Sequence, residues 1–244
     1  MRGAGARRMT VTATVLGALL IPLAGCGGGP GPDSAHTRDT RTGSADRPAA
    51  RPTGVPDVGD RLQRRIPADS RQVLAVYGEG RDSAEAVAVL YVKRGSGWDR
   101  VRGWPAHNGK KGWTTDHHEG DKRSPVGVFT LSDAGGALPD PGAALPYTRS
   151  AAIAAPRWWP RSHWHDFDYV IAIDYNRVEG TPPNNQARPE GYSKGGGIWL
   201  HLDHGGGTSA CVSVSRSAMR YLLRTLDPAL RPVVVMGDRA ELSA

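Results

Sequence analysis

Cysteine and phenylalanine are both scarce in this chain of 244 residues, two of each. Cys26 and Cys211 are too few for a disulfide-stapled scaffold or a four-cysteine zinc site. The apolar run from Val11 to Leu23 has 13 residues, whereas a membrane-crossing helix needs about 20. The sequence shows no internal repeat and no basic stripe interleaved with aromatics, so nucleic acid is not an expected partner. The net charge of +7 does not argue otherwise, because Arg2, Arg7 and Arg8 sit within the first eight residues. The 39% of hydrophobic residues is enough for one core of ordinary domain size, and 32 Gly and 19 Pro punctuate it heavily.

The N-terminus reads as an address. A positive start, the short apolar run and a stretch of small residues make a secretory signal, excluded from fold reasoning. Its end, Leu23-Ala24-Gly25-Cys26, resembles the lipobox of bacterial lipoproteins, in which the cysteine is diacylated and becomes the first residue after cleavage. The resemblance implies a signal peptide over 1–25, lipidation at Cys26, and a mature protein anchored to the outer face of the cytoplasmic membrane, facing the cell wall. From Gly27 to Ser70 the chain carries seven basic and six acidic residues among Gly, Pro, Ser and Thr. So little apolar surface does not offset chain entropy, so 26–70 is expected to be a disordered linker that gives reach above the lipid. The folded part is expected over 71–238, with 239–244 as a tail.

Strand signals dominate that part: Gln72 to Tyr77, Ala86 to Lys93 and Asp99 to Arg102 around Gly95-Ser96-Gly97, then Val126 to Leu131, Tyr169 to Tyr175, Gly197 to Leu202 and Pro232 to Met236. One helix is clear: Ser215 is a good N-cap, Ala218, Met219, Leu222, Leu223 and Leu226 follow at helical spacing, and Asp227-Pro228 stops it. The expected fold is mainly β, a sandwich or barrel-like sheet with one substantial C-terminal helix and long inserted loops.

With Cys26 assigned to lipid, Cys211 is the remaining thiol. A lone cysteine is often a buried small hydrophobe, but this one ends the polar, glycine-rich stretch Gly205-Gly206-Gly207-Thr208-Ser209-Ala210, ten residues after His201 on a strand. Thiolate is the nucleophilic form, and an imidazole and backbone amides favour it. Glycines accept positive φ, which lets such a loop fold back toward the strand. Gly196-Gly197-Ile198-Trp199-Leu200-His201 followed by Thr208-Ser209-Ala210-Cys211-Val212 resembles the catalytic segment of bacterial L,D-transpeptidases. Gly120 to Leu131, with Ser124-Pro125-Val126-Gly127-Val128-Phe129, is similar to a second segment of that family, and Asp174-Tyr175-Asn176 after a tryptophan-rich stretch looks like its actinobacterial branch. The resemblance implies Cys211 as nucleophile and His201 as base, the Leu202 carbonyl orienting the imidazole, and the Ala210 and Cys211 amides as oxyanion donors, with Thr208 and Ser209 in the same orienting group. It implies acyl transfer on peptidoglycan stem peptides: attack on the diaminopimelate carbonyl, release of D-alanine, and transfer from a thioester to an acceptor amine. No cofactor or metal is required, and a monomer is the expected state.

Ala210 stands where the family usually has Gly. If that backbone needs positive φ, the change costs about 1 kcal/mol or more and motivates an alternative, a catalytically impaired wall-binding lipoprotein of the same fold. A second alternative, a metal-dependent wall hydrolase, can be drawn from His117-His118-Glu119, from His163 with His165-Asp166, and from His201, Asp203 and His204. His204 also competes with His201 as base. Trp199, Tyr175 and Trp159 are candidate substrate contacts. Trp158, Trp159 and Trp164 form either a hydrophobic plug under a long loop or a wall that touches substrate.

Overall fold

The computed structural model describes residues 51–244. The lipobox with Cys26, the signal segment and the first half of the expected linker lie outside the described residues. Twelve strands follow in chain order: β1 (Gln72–Gly78), β2 (Glu85–Arg94), β3 (Gly97–His107), β4 (Trp113–Thr114), β5 (Ser124–Pro125), β6 (Gly127–Thr130), β7 (Ala134–Gly136), β8 (Tyr147–Arg149), β9 (Val170–Ala172), β10 (Trp199–Leu202), β11 (Val212–Val214) and β12 (Val233–Asp238). The α-helices are α1 (Asp60–Gln63), α2 (Arg216–Thr225) and α3 (Arg239–Ser243). Ten strands form one mixed sheet in the order β6-β12-β1-β2-β3-β11-β10-β9-β7-β8, and β4 and β5 pair separately. The mainly β expectation is met. The sheet also curls, because the Asp174 amide after β9 donates to the Thr130 carbonyl at the end of β6 (3.0 Å).

All seven residues of β1 are buried. Leu74 and Val76 face one core and Val73, Ala75 and Tyr77 the other, and β12, parallel to β1, divides its Val and Met residues the same way. Such two-sided burial explains why these strands read as continuous apolar runs. The larger core takes α2, whose Ser215 cap accepts from the Ala218 amide and whose Ala218, Met219, Leu222 and Leu223 are buried, as the spacing predicts. The smaller core needs its own cover. Val55 and Leu62 supply it from the stretch expected to be linker, and Leu242 supplies it from the expected tail. The Tyr77 hydroxyl donates to the Pro56 carbonyl (2.6 Å) and the Gly59 amide to the Leu242 carbonyl (2.7 Å). The packed part therefore includes 51–70, and 239–243 is a short helix rather than a tail. Four well-spaced apolar side chains, Val55, Val58, Leu62 and Ile66, are enough to seat a segment that is otherwise polar.

β2 and β3 are longer than the sequence indicates and turn through Gly95 (φ +62°) and Ser96, with Arg94 opposite Gly97. β11 is not legible in the sequence: three buried residues, Val212–Val214, held between β10 and β3, are too few to show a period.

Candidate active site

β10 and β11 run parallel with Leu200 opposite Val212 and His201 opposite Ser213. One step back along that register sets Trp199 beside Cys211, and the Trp199 amide lies 3.4 Å from Sγ. Side chains two apart on a strand share a face, so Cys211 and His201 project to the same side. Both line a cavity of about 450 Å³. Its walls include Lys110, Trp159, Pro160, Phe167, Gly207, Thr208 and Ser209.

The loop between the strands is pinned from several directions. Gly205 has φ +87°, a conformation that favours glycine. A Cβ on Gly207 would lie 2.8 Å from both the Ala84 Cβ and the Lys110 Cα, so the chain passes where only glycine fits. Thr208 exchanges backbone hydrogen bonds with 108–110, its amide donating to Asn108 and its carbonyl accepting from Lys110, each 2.8 Å. Its hydroxyl donates to the Cys211 carbonyl (2.6 Å), and the Ser124 hydroxyl donates to the Ala210 carbonyl (2.6 Å) while accepting from the Gly109 amide (2.9 Å). Ser124 lies within the second matching segment, Gly120 to Leu131, but nothing in the sequence marks it as a site residue. With their carbonyls held on one side, the amides of Ala210 and Cys211 have no backbone acceptor among the described residues. Among those residues only Asp57, Lys122, Asn176 and Arg231 combine a side chain with positive φ. Ala210 is free of that strain, so the motive for an impaired site falls away.

The His201 Nδ1 is 2.9 Å from the Leu202 carbonyl. That carbonyl only accepts, so Nδ1 carries the proton and Nε2 is left as the basic nitrogen. Phe167 meets the ring edge-on at 5.3 Å, and the residue is 3% exposed. Burial lowers the His201 pKa to about 4, against the opposing effects of the Leu202 carbonyl and nearby Asp166. Burial likewise raises the Cys211 thiol to about 11, with the Trp199 amide opposing and Asp166 adding to the rise. In the free protein at neutral pH the pair is therefore thiol and neutral imidazole, not the anion poised by imidazole expected from the sequence. The sulfur's hydrogen-bond partners are the Trp199 amide and, at 3.9 Å, the Gly197 carbonyl; none joins it to His201.

Trp159 lines the cavity, whereas Trp199 reaches the site through its amide and turns its indole N–H to the Pro183 carbonyl (3.2 Å). Tyr175 is not brought to the cavity: it packs edge-on to His117 and Phe129, and its hydroxyl donates to the Lys194 carbonyl (2.9 Å). The tryptophan-rich insertion is partly wall and partly self-packed, with the Trp164 indole donating to the Trp159 carbonyl (2.8 Å) and Arg157 and Arg161 stacked on Trp164. Of the histidines weighed as metal ligands, His117 pairs with Asp121 and His165 with Asp168, and neither lines the cavity. His163 and His204 converge on Asp166 in the cavity wall.

The YkuD family, the L,D-transpeptidase catalytic domain, matches residues 82–235, well over half of the chain. Among solved structures the chain is similar to Bd1075 of Bdellovibrio bacteriovorus (18% identity, 75% of this chain and 52% of that one, TM-score 0.39). It is also similar to the helical cell shape determining protein Pgp2 of Campylobacter jejuni (14% identity, 70% of this chain and 49% of that one, TM-score 0.40). The chain spans about half the length of each. No curated protein matches it.

Proposed function

The chain belongs to the YkuD family of L,D-transpeptidase catalytic domains, and from that membership we propose a cysteine acyltransferase acting on peptidoglycan stem peptides. Cys211 is the nucleophile and His201 its base. The observation that carries the reading is that the two side chains share one face of β10 and β11 and open on one cavity, with the His201 Nδ1 committed to the Leu202 carbonyl.

Because both groups start neutral, the reaction proceeds by general-base catalysis. As Sγ bonds to the diaminopimelate carbonyl, Nε2 takes the thiol proton. The Leu202 carbonyl steadies the imidazolium, doing the work of the carboxylate in other triads. The oxyanion develops toward the amides of Ala210 and Cys211, whose freedom from backbone partners supports that role. Collapse breaks the C–N bond to D-alanine, which leaves with the proton from Nε2. An acceptor amine then attacks the thioester, restores the thiol and completes the transfer. Trp159, Thr208 and Ser209 line the space the donor peptide would fill. The Leu23-Ala24-Gly25-Cys26 motif supports export and lipidation at Cys26, which would hold the enzyme at the outer face of the membrane.

Intact mass after incubation with a tetrapeptide stem tests the assignment. The wild type should gain the acyl fragment and release D-alanine, Cys211→Ala should gain nothing, and His201→Gln should acylate about 10²–10⁴ times more slowly. An adduct that persists in Cys211→Ala, or no adduct on the wild type, refutes it.

A further inference from the structure

We propose that His163, Asp166 and His204 form a three-ligand site for Zn²⁺ in the wall of the cavity that Cys211 shares, with the ion's fourth position open to that cavity. The site goes beyond acyl transfer through the thiol, which needs no metal.

The three donor atoms lie within 4.8 Å of one another. The His163 Nδ1 is 2.9 Å and the His204 Nδ1 3.1 Å from the same oxygen, Asp166 Oδ2. Around tetrahedral zinc with bonds of about 2.0–2.2 Å, neighbouring donors sit roughly 3.3–3.5 Å apart. Two edges of the cage are thus present to within about half an ångström, and the third pair of donors is within 4.8 Å. The His204 contact is close but is not a hydrogen bond, and that buried Nδ1 has no hydrogen-bond partner at all. A buried ring nitrogen left in this way calls for a partner. A cation shared with His163 and the carboxylate supplies one.

The backbone prepares the arrangement. The Asp166 amide donates to the His163 carbonyl (3.1 Å), closing the turn that sets these side chains three residues apart, and the Asp166 carbonyl accepts from the Leu202 amide (2.9 Å). That bond ties the turn to the end of β10, two residues before His204. Two imidazoles and one carboxylate suit zinc better than the all-oxygen sets that magnesium and calcium prefer. Three protein ligands with one open position is the arrangement of a zinc that takes water or a substrate oxygen. The ligand the open position would accept from the cavity is a carboxylate of a bound peptide.

Isothermal titration of the metal-free full chain with Zn²⁺ alone, with Mg²⁺ as control, tests the site. The wild type and Cys211→Ala should each bind one Zn²⁺ per chain and no Mg²⁺. His204→Ala and His163→Gln, the latter in a half-exposed turn, should each bind on the order of 100-fold more weakly or worse, since losing even an outer-shell partner costs about 10–100-fold. No zinc binding by the wild type, or undiminished binding by the His163→Gln variant, overturns the proposal. So does binding lost in Cys211→Ala, which would put the ion on the thiol. Because Cys211→Ala keeps the site, failure here leaves the acyltransferase assignment standing, and failure of that assignment leaves the zinc site testable.

Discussion

His201 commits one ring nitrogen to the carbonyl of the next residue and keeps the other for chemistry, and its burial decides which charge state does that chemistry. In the unfolded chain a histidine takes up a proton near pH 6.5, but in the fold His201 resists until about pH 4. Between those values the unfolded state binds more protons than the native one, so stability from this group is present above about pH 6.5 and is lost as pH falls toward 4. At about 1.4 kcal/mol per pH unit the loss approaches roughly 3 kcal/mol. Denaturant midpoints at pH 7 and pH 4.5 should therefore fall further apart in the wild type than in His201→Gln. Equal pH slopes would mean that the imidazole is hydrated and charges normally. The neutral pair also fits a half-buried thiol at the cavity wall: in the proposed reaction a sulfur that is not already an anion is kept for a carbonyl brought within reach of the amides.

At the scale of elements, the device that unites the site is the loop from β10 to β11 rather than either strand. Gly207 passes so near Ala84 and Lys110 that a methyl group would meet the Lys110 backbone on one side and the Ala84 side chain, just before β2, on the other. Gly207→Ala should therefore push the loop outward, disturbing the Thr208 bonds to 108–110 and the carbonyl clamps on Ala210 and Cys211. The expected result is about 1–3 kcal/mol lower stability and a larger proportional fall in acylation rate, because small displacements at a reacting centre weigh heavily. The neighbouring Gly206 has open space around its Cβ position, so Gly206→Ala is the control. Equal effects at 206 and 207 would show that close packing is not what holds the loop.

For the whole molecule, a sheet buried on both faces needs two covers. α2 and the long loops supply the first, and the residues before β1 with α3 supply the second. A chain beginning at residue 71, where composition alone sets the boundary, should be markedly less stable than one beginning at 51, since Val55 and Leu62 leave with the segment. Losing buried side chains of that kind costs about 2–5 kcal/mol each by truncation to alanine. Thermal unfolding of the two chains measures the difference, and indistinguishable midpoints would show that the second face is content with solvent. β1 is buried along its whole length and so is packed on both faces, but the sequence of the strand does not say which residues provide the second cover.

The sequence by itself determined the local features. They are α2 with its Ser215 cap, the existence of the β2–β3 hairpin though not its length, the apolar strands at the centre of the sheet, and the spacing of His201 and Cys211 along one stretch of chain, to which the family resemblance added Leu202. Tertiary structure decided what depends on residues distant in sequence. It added Ser124 to the clamp on the cysteine loop, drew His163 and Asp166 to His204, kept Tyr175 out of the cavity, and set the charge state of the thiol and imidazole. Burial and pairing are properties of the assembled surroundings. A side chain carries its chemistry in its identity, but its protonation and its neighbours exist only once the sheet has curled and the loops have closed over it.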